Sequence, residues 1–452
     1  LDYIPTTPEQ REFMLRTIGV ASVEELFCDI PEELRFKGRL DLPPGLSEPE
    51  LLAHLRELAG KNRHLDQLVC FAGGGAYDHV IPSAVRTVIS RSEFYTSYTP
   101  YQAEITQGVL QSIFEFQTLI CQLTGLDVAN ASMYDGASAC AEGLIMACAH
   151  TGKARVLVAQ SIHPEYRLVA ETYLRHQGIA VDIVPCAQGV VDLAALAERL
   201  GTDVAGLLVQ HPNFFGHLEP VREAAQAVHA AGGLFVVAVD PISLGILEPP
   251  GAYGADIAAG EGQALGNPLS FGGPYLGFLS AKEELVRKMP GRIVGETVDA
   301  QGRRGYVLTL QAREQHIRRH RATSNICTNQ ALNALAASAY LALLGKEGFR
   351  EAAYLSFQKA HYLEARLREL SGKPGGLSRR WDLPFFKEFV IQSAVPAGEL
   401  QRRLIARGFL AGPSFSQVGL EPDNALLVCA TEARSRAEID GFVEAVKASL
   451  TE

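Results

Sequence analysis

Between Arg155 and Asp240 the chain alternates short apolar runs with amphipathic stretches. The runs Arg155–Ala159, Ala180–Val184, Val204–Gln210 and Leu234–Asp240 are β-branched and too short for helices, so they are predicted as strands. Pro164–Gln177, Leu193–Leu200 and Pro220–Ala231 between them repeat at helical spacing. Strands that are apolar throughout and separated by helices predict a mostly parallel sheet covered on both faces. Upstream, ASACAEGLIMACAH after Gly136 reads as a small-residue helix that can lie close to that sheet. Downstream, an alanine-rich helix ends near Leu344. Helix Phe349–Leu370, strand Phe385–Gln392, helix Glu399–Arg407, strand Ala425–Ala430 and helix Arg436–Leu450 follow, with Lys373-Pro374-Gly375-Gly376 as a turn.

The first sixty residues carry a different pattern. Ser22–Glu25 and Ser47–Glu50 have the spacing of capping boxes, and Leu51, Leu52, Leu55 and Leu58 share one helical face closed by Gly60. That face is too small to close a core alone and is expected to pack on something else. The organisation expected is a helical arm over 1–60, a large α/β domain over 61–330 and a small α/β domain over 331–452.

Composition changes this picture little. A 452-residue chain with 47% hydrophobic and 20% charged residues is an ordinary globular protein. Its net charge of -10 argues against a nucleic-acid backbone binder. No stretch is apolar for long enough to span a bilayer, and LDYIPTTPEQ lacks a basic region followed by an apolar run, so no membrane association and a cytoplasmic location are expected. The eight cysteines are dispersed without C-x-x-C; no metal site is expected, and most should be buried small hydrophobes.

In a sheet of this kind ligands sit at the carboxyl ends of the strands. That rule gathers His211-Pro212-Asn213, Asp240 and the 261–273 loop around one cleft. Gly73-Gly74-Gly75 lacks a clear preceding strand and reads as a turn needing positive φ more readily than as a phosphate cradle. Gly272-Gly273 permits close backbone approach or, more sharply, phosphate binding. His79, His163 and His211 lie beside turns and read as structural. Two polar stretches remain. Ser97–Gly108 concentrates hydroxyls, amides and a carboxylate at a helix entrance, and Thr323–Gln330 precedes the alanine-rich helix. Ser324 or Thr328 reads as an ordinary N-cap. Arg303, Arg304, Arg313, Arg318, Arg319 and Arg321 form either a solvated face or a docking surface for an acidic carrier.

SYTPYQAEITQG (97–108), TGLDVANASMYDGASACAEG (124–143), HPNFFG (211–216), the 255–274 segment and TSNICTNQ (323–330) together resemble the glycine cleavage system P-protein, glycine decarboxylase. The likeness runs through nearly the whole chain and is closer to the N-terminal half, which in many bacteria is a separate subunit 1. It implies the aspartate-aminotransferase-like fold (fold type I) of pyridoxal-phosphate enzymes, in which Asp240 would pair the pyridinium nitrogen. The cofactor's lysine should stand at about Gln263, Ala264 and Leu265, yet no lysine occurs between Lys153 and Lys282. An amide and two hydrocarbons cannot form the covalent tether, so no catalytic residue is expected in this chain. The resemblance then implies a lysine-bearing partner subunit that binds pyridoxal phosphate covalently, an α2β2 assembly, glycine as substrate and a lipoylated H-protein as acceptor. Tyr98, Tyr101, Gln102, Glu104 and Gln107 would line the partner's substrate pocket, and Thr323–Asn325 its cofactor phosphate. The rival readings are a silent scaffold or regulatory homologue, and a self-sufficient pyridoxal-phosphate enzyme. Against the latter stands the missing lysine.

Overall fold

A computed structural model describes residues 5–372 and 376–451. The expected turn at Lys373–Gly376 lies outside them but for Gly376. Seven strands form the main sheet in the order Val128–Ala129, Gly277–Ala281, Ile257–Glu261, Leu234–Val239, Val204–His211, Arg155–Ala159, Ala180–Val184. The last five are parallel to one another, and only Gly277–Ala281 runs antiparallel to its neighbours. The four apolar runs thus form strands where their pattern places them; Arg155–Ala159, Val204–His211 and Leu234–Val239 are buried on both faces, while Ala180–Val184 is a partly exposed edge strand.

Helix Gly136–Thr151 covers one face and is buried over nearly its whole length. Its small residues allow this: a Cβ on Gly143 would stand 3.1 Å from Val236 Cγ1. A second core gathers Leu363, Leu367, Phe389, Leu400 and Phe442 in the C-terminal region and also takes in Phe71, which stacks on Phe442 at 4.2 Å. The helical stretch Ala331–Arg368, interrupted by non-helical geometry at Gly345, joins the two cores. Its first half packs on the main sheet's core and its second half on the C-terminal one. The separate helices expected on either side of Leu344 are present, the break between them falling at Gly345.

Residues up to Arg63 form a unit of their own. Ser47 and Glu50 make the expected capping box on helix Glu48–Ala59. Ser22–Glu25 does not: a short 3-10 turn, Glu24–Phe27, stands there without a side-chain cap. A helix the pattern missed, Pro8–Ile18, is capped reciprocally by Thr7 and Gln10. Leu51, Leu52, Leu55 and Leu58 are all exposed. Cys70, Cys140, Cys148 and Cys429 are buried, while Cys28 and Cys327 are exposed.

A candidate cofactor-type cleft and two outlying segments

The strand ends Ala159, His211, Val239 and Glu261 share one edge of the sheet, and a cleft of about 740 Å³ opens beside it. The glycine run 73–75 forms one wall. A strand does precede it, Val69–Phe71; only three residues long, it pairs in parallel with the distant Phe409–Ala411. Gly74 and Gly75 have φ of +80° and +109°. A Cβ on Gly75 would stand 3.2 Å from the His163 ring. Glycine is thus needed here for turn geometry and close approach.

Asp240 ends its strand as expected. Oδ1 accepts from the Ile242 N–H at 3.1 Å, and Oδ2 pairs with the Lys387 ammonium at 2.8 Å. Lys387 is 1% exposed. Its Nζ lies 3.5 Å from the centre of the Tyr77 ring and 3.1 Å from His79 Nε2. Next in sequence, Glu388 accepts from the Tyr77 hydroxyl at 2.6 Å and from the Gly74 N–H at 2.9 Å. Burial pushes its carboxyl up to about 7 against those hydrogen bonds. Neither residue was singled out in the sequence, where "FFKEFVIQ" reads as an ordinary strand entrance.

Gln263, Ala264 and Leu265 are all buried. The Gln263 amide holds Tyr77 from both sides, accepting from its N–H at 2.9 Å and donating to its carbonyl at 3.1 Å. Glu261, at the end of its strand, accepts from three backbone N–H groups: Gly136 at 3.0 Å, Gln263 at 3.0 Å and Leu276 at 2.9 Å. Burial raises its pKa to about 8 while these donors pull it down. In either protonation state it occupies the first N–H of helix Gly136–Thr151. Asp135 Oδ1 takes the Ser138 N–H at 2.7 Å.

Each histidine has a structural explanation. His163 Nδ1 accepts from the Glu165 N–H at 3.1 Å, so Nε2–H donates to the Gly74 carbonyl at 2.8 Å. His211 Nδ1 accepts from the Glu219 N–H at 3.1 Å, and burial lowers its pKa to about 4. His79 bridges Lys387 and Glu432, the latter at 2.6 Å. Gly272 and Gly273 have φ of +111° and +130° in a loop beside the exposed Phe271, and Gly272 reaches the cleft mouth.

A pyridoxal phosphate does not fit these residues. Its phosphate would seek the N-terminus of helix Gly136–Thr151, where the first N–H is taken. The described residues lining the cleft include Asp135, Glu165 and Glu261 but no lysine or arginine. Its pyridinium would have to displace Lys387 from Asp240. No amine stands at 263–265.

Of the two outlying segments, 97–107 does not line this cleft and 323–330 touches it at Gln330; the two meet each other. Tyr98 and Tyr101 are 75% and 56% exposed, and Gln102 and Glu104 are exposed as well. Gln107 instead clamps strand Arg304–Thr309, exchanging hydrogen bonds of 2.8 Å with both backbone groups of Tyr306. Arg292, 4% exposed, donates to the Cys327 carbonyl and, at 2.9 Å, to the Tyr101 hydroxyl. It therefore ties segment 97–107 to segment 323–330. The N-cap expected from Ser324 or Thr328 is absent: the helix begins at Ala331 after Gln330, with no side-chain cap. Ser324 Oγ accepts from the Ile326 N–H at 3.1 Å, and Asn329 donates to Ser132 at 2.9 Å. Thr323 and Ser324 are half-buried and Asn325 is exposed. Burial pushes the Glu142 carboxyl up to about 7, against the opposing influence of the Ser324 hydroxyl.

The sheet order, the helix N-terminus at the cleft and the strand-end aspartate define a fold type I pyridoxal-phosphate-dependent enzyme scaffold. Burkholderia pseudomallei sphingosine-1-phosphate lyase shares the fold at TM-score 0.66 and 15% identity, over 93% of this chain and 94% of that one. Residues 1–445 match the model of the glycine cleavage system P-protein, and the chain belongs to that family. Among similar relatives is the probable glycine dehydrogenase (decarboxylating) subunit 1 of Carboxydothermus hydrogenoformans, 55% identical over 98% of this chain and 99% of that protein. The corresponding protein of Moorella thermoacetica is 52% identical over the full length of both. A crystal structure of glycine decarboxylase (P-protein) of the glycine cleavage system, in inhibitor-bound form, superposes at TM-score 0.90 with 46% identity over 99% of this chain and all of that one. The chain is thus a P-protein polypeptide of the subunit 1 type. Among the described residues no helix is long and apolar enough to cross a membrane.

Proposed function

We propose that this chain is the half of a two-subunit glycine decarboxylase that does not tether the cofactor. The observation carrying this reading is the Gln263 amide, buried and committed to both backbone groups of Tyr77 where an amine would have to stand. A lysine-bearing partner subunit holds pyridoxal phosphate, in a cytoplasmic α2β2 assembly. The partner's cofactor supplies the decarboxylation chemistry for glycine, and the aminomethyl group passes to the lipoyl arm of H-protein. This chain contributes Tyr98, Tyr101 and Glu104, which project from its surface, to the partner's substrate pocket. The loop Thr323–Asn325, steadied by Arg292, reaches the partner's cofactor phosphate. Gln107 acts behind them by holding the segment to strand Arg304–Thr309.

The test is CO2 release from glycine with lipoylated H-protein, measured for this chain, for the lysine-bearing chain, and for their mixture. Activity only in the mixture is expected. Turnover by this chain alone, or no gain on mixing, refutes the reading; the second outcome favours a silent homologue.

A further inference from the structure

Ionisable side chains stand at both positions that a cofactor's charges would take. Lys387 places an ammonium 2.8 Å from Asp240, in the role of a ring cation. Glu261 places a carboxyl 3.0 Å from the Gly136 N–H, at the helix terminus where a phosphate oxygen would sit. Both are buried or nearly so, and their neighbours are built around them. The Tyr77 ring and His79 Nε2 face the ammonium, and Phe386 lies at 5.9 Å. Three N–H groups converge on the Glu261 carboxyl.

The same groups connect distant parts of the chain. Loop 73–80 is held on one side by Gln263, through Tyr77. On the other side it is held by the C-terminal region: Glu388 takes Gly74 and Tyr77, Arg434 and Thr431 take Asp78 at 2.5 Å each, and Glu432 takes His79 and the Val80 N–H. Lys387 adds the direct link from the C-terminal region to Asp240 at the end of the main sheet.

We propose that Lys387 and Glu261 are internal stand-ins for the charged ends of a cofactor, and that the contacts gathered around Lys387, Asp240 and loop 73–80 are a fixed clamp locking the C-terminal region onto the main sheet. This goes beyond assigning the cofactor to a partner. It is tested on this chain alone, so the two readings fail separately.

The experiment compares the full-length chain with Lys387→Met, Asp240→Asn and the double variant, by thermal unfolding and by amide exchange. Removing one member of a buried pair strands the other, whereas removing both does not. Each single variant should therefore lose about 3–5 °C in Tm. Exchange in segment 73–80 should quicken by about tenfold or more. The double variant should regain more than half of both losses. Losses that simply add, or unchanged exchange in 73–80, overturn the clamp. A second arm needs no variant: pyridoxine 5′-phosphate, which has no aldehyde to react with surface lysines, is titrated into the wild-type chain. No saturable binding is expected up to about 1 mM, and one-to-one binding in the micromolar range overturns the stand-in assignment.

Discussion

Replacing Arg292 by Met tests whether the two outlying segments act together. The guanidinium donates to Tyr101 and to the Cys327 carbonyl, lies 5.2 Å from the centre of the Tyr101 ring, and leaves its buried Nε without a partner. Hydrogen bonds from a charged donor contribute about 1.5–3 kcal/mol each, and the unpaired N–H costs about 1–3 kcal/mol. The net preference for the joined arrangement is then about 2–3 kcal/mol, a factor of roughly 30–150 in its population. Met fills similar volume without either bond, so the segments should separate while the sheet stays folded. For the assembled enzyme, kcat/KM for glycine should fall about 10–100-fold, since displacement of a positioning group by an ångström has effects of that size. The assay is the initial rate of CO2 release against glycine concentration, run alongside Tyr101→Phe. That milder variant loses one bond and should cost about fivefold. Combined with Arg292→Met it should add little further loss, because the bond is already gone. A rate for Arg292→Met within about twofold of wild type would refute the coupling.

Tyr98→Phe and Glu104→Gln should each lower activity of the assembled enzyme while changing the stability of this chain by no more than about 0.5 kcal/mol, as exposed positions do; unchanged turnover and glycine affinity sink the pocket-lining role. Gly216 has φ +87°, and a Cβ there would overlap the Glu388 carbonyl, so Gly216→Ala should destabilise by about 3 kcal/mol or more in urea unfolding. Gly178, at φ +71° with open space around it, is the control, and Gly178→Ala should cost only about 1–2 kcal/mol. Equal losses at the two sites would show that close approach is not the cause. Burial alone would raise the Glu432 carboxyl, but the hydrogen bonds and charge of His79 with the Val80 N–H outweigh it and lower the pKa from 4.5 to about 2. A depressed folded pKa gives stability that is present above the unfolded value and lost as pH falls through the folded one, here about 3 kcal/mol. The gap in unfolding free energy between wild type and Glu432→Gln should be widest above pH ~5 and close toward pH ~2; a gap independent of pH contradicts this.

The sheet was legible because its signal is local. A strand covered on both faces must be apolar at successive positions, so Val204–Gln210 and Leu234–Asp240 declare themselves without reference to the rest of the chain. Val69–Phe71 gave no such signal: three residues carry too little pattern, and their partner Phe409–Ala411 is a distant part of the chain. The same limit explains the misplaced caps at Ser22 and Ser324. A serine three residues before a glutamate, or just before a helix, offers a cap, but neighbouring backbone geometry decides whether it is used. At Ser324 the hydroxyl turns to its own loop, accepting from the Ile326 N–H.

The cleft divides along the same line. The absence of an amine at Gln263-Ala264-Leu265 is local and is read from the sequence alone. The proposed stand-in for the cofactor's cation is not local. Asp240 stands at the end of a buried strand, where its largely covered carboxylate is favoured by a counter-charge. No spacing rule identifies which one. Lys387 stands in an otherwise ordinary strand entrance and becomes the partner only when the C-terminal region closes over loop 73–80. The same closure gives Glu388 the Tyr77 hydroxyl and the Gly74 N–H, so neighbouring residues of one strand entrance complete a site whose absence was written more than a hundred residues earlier.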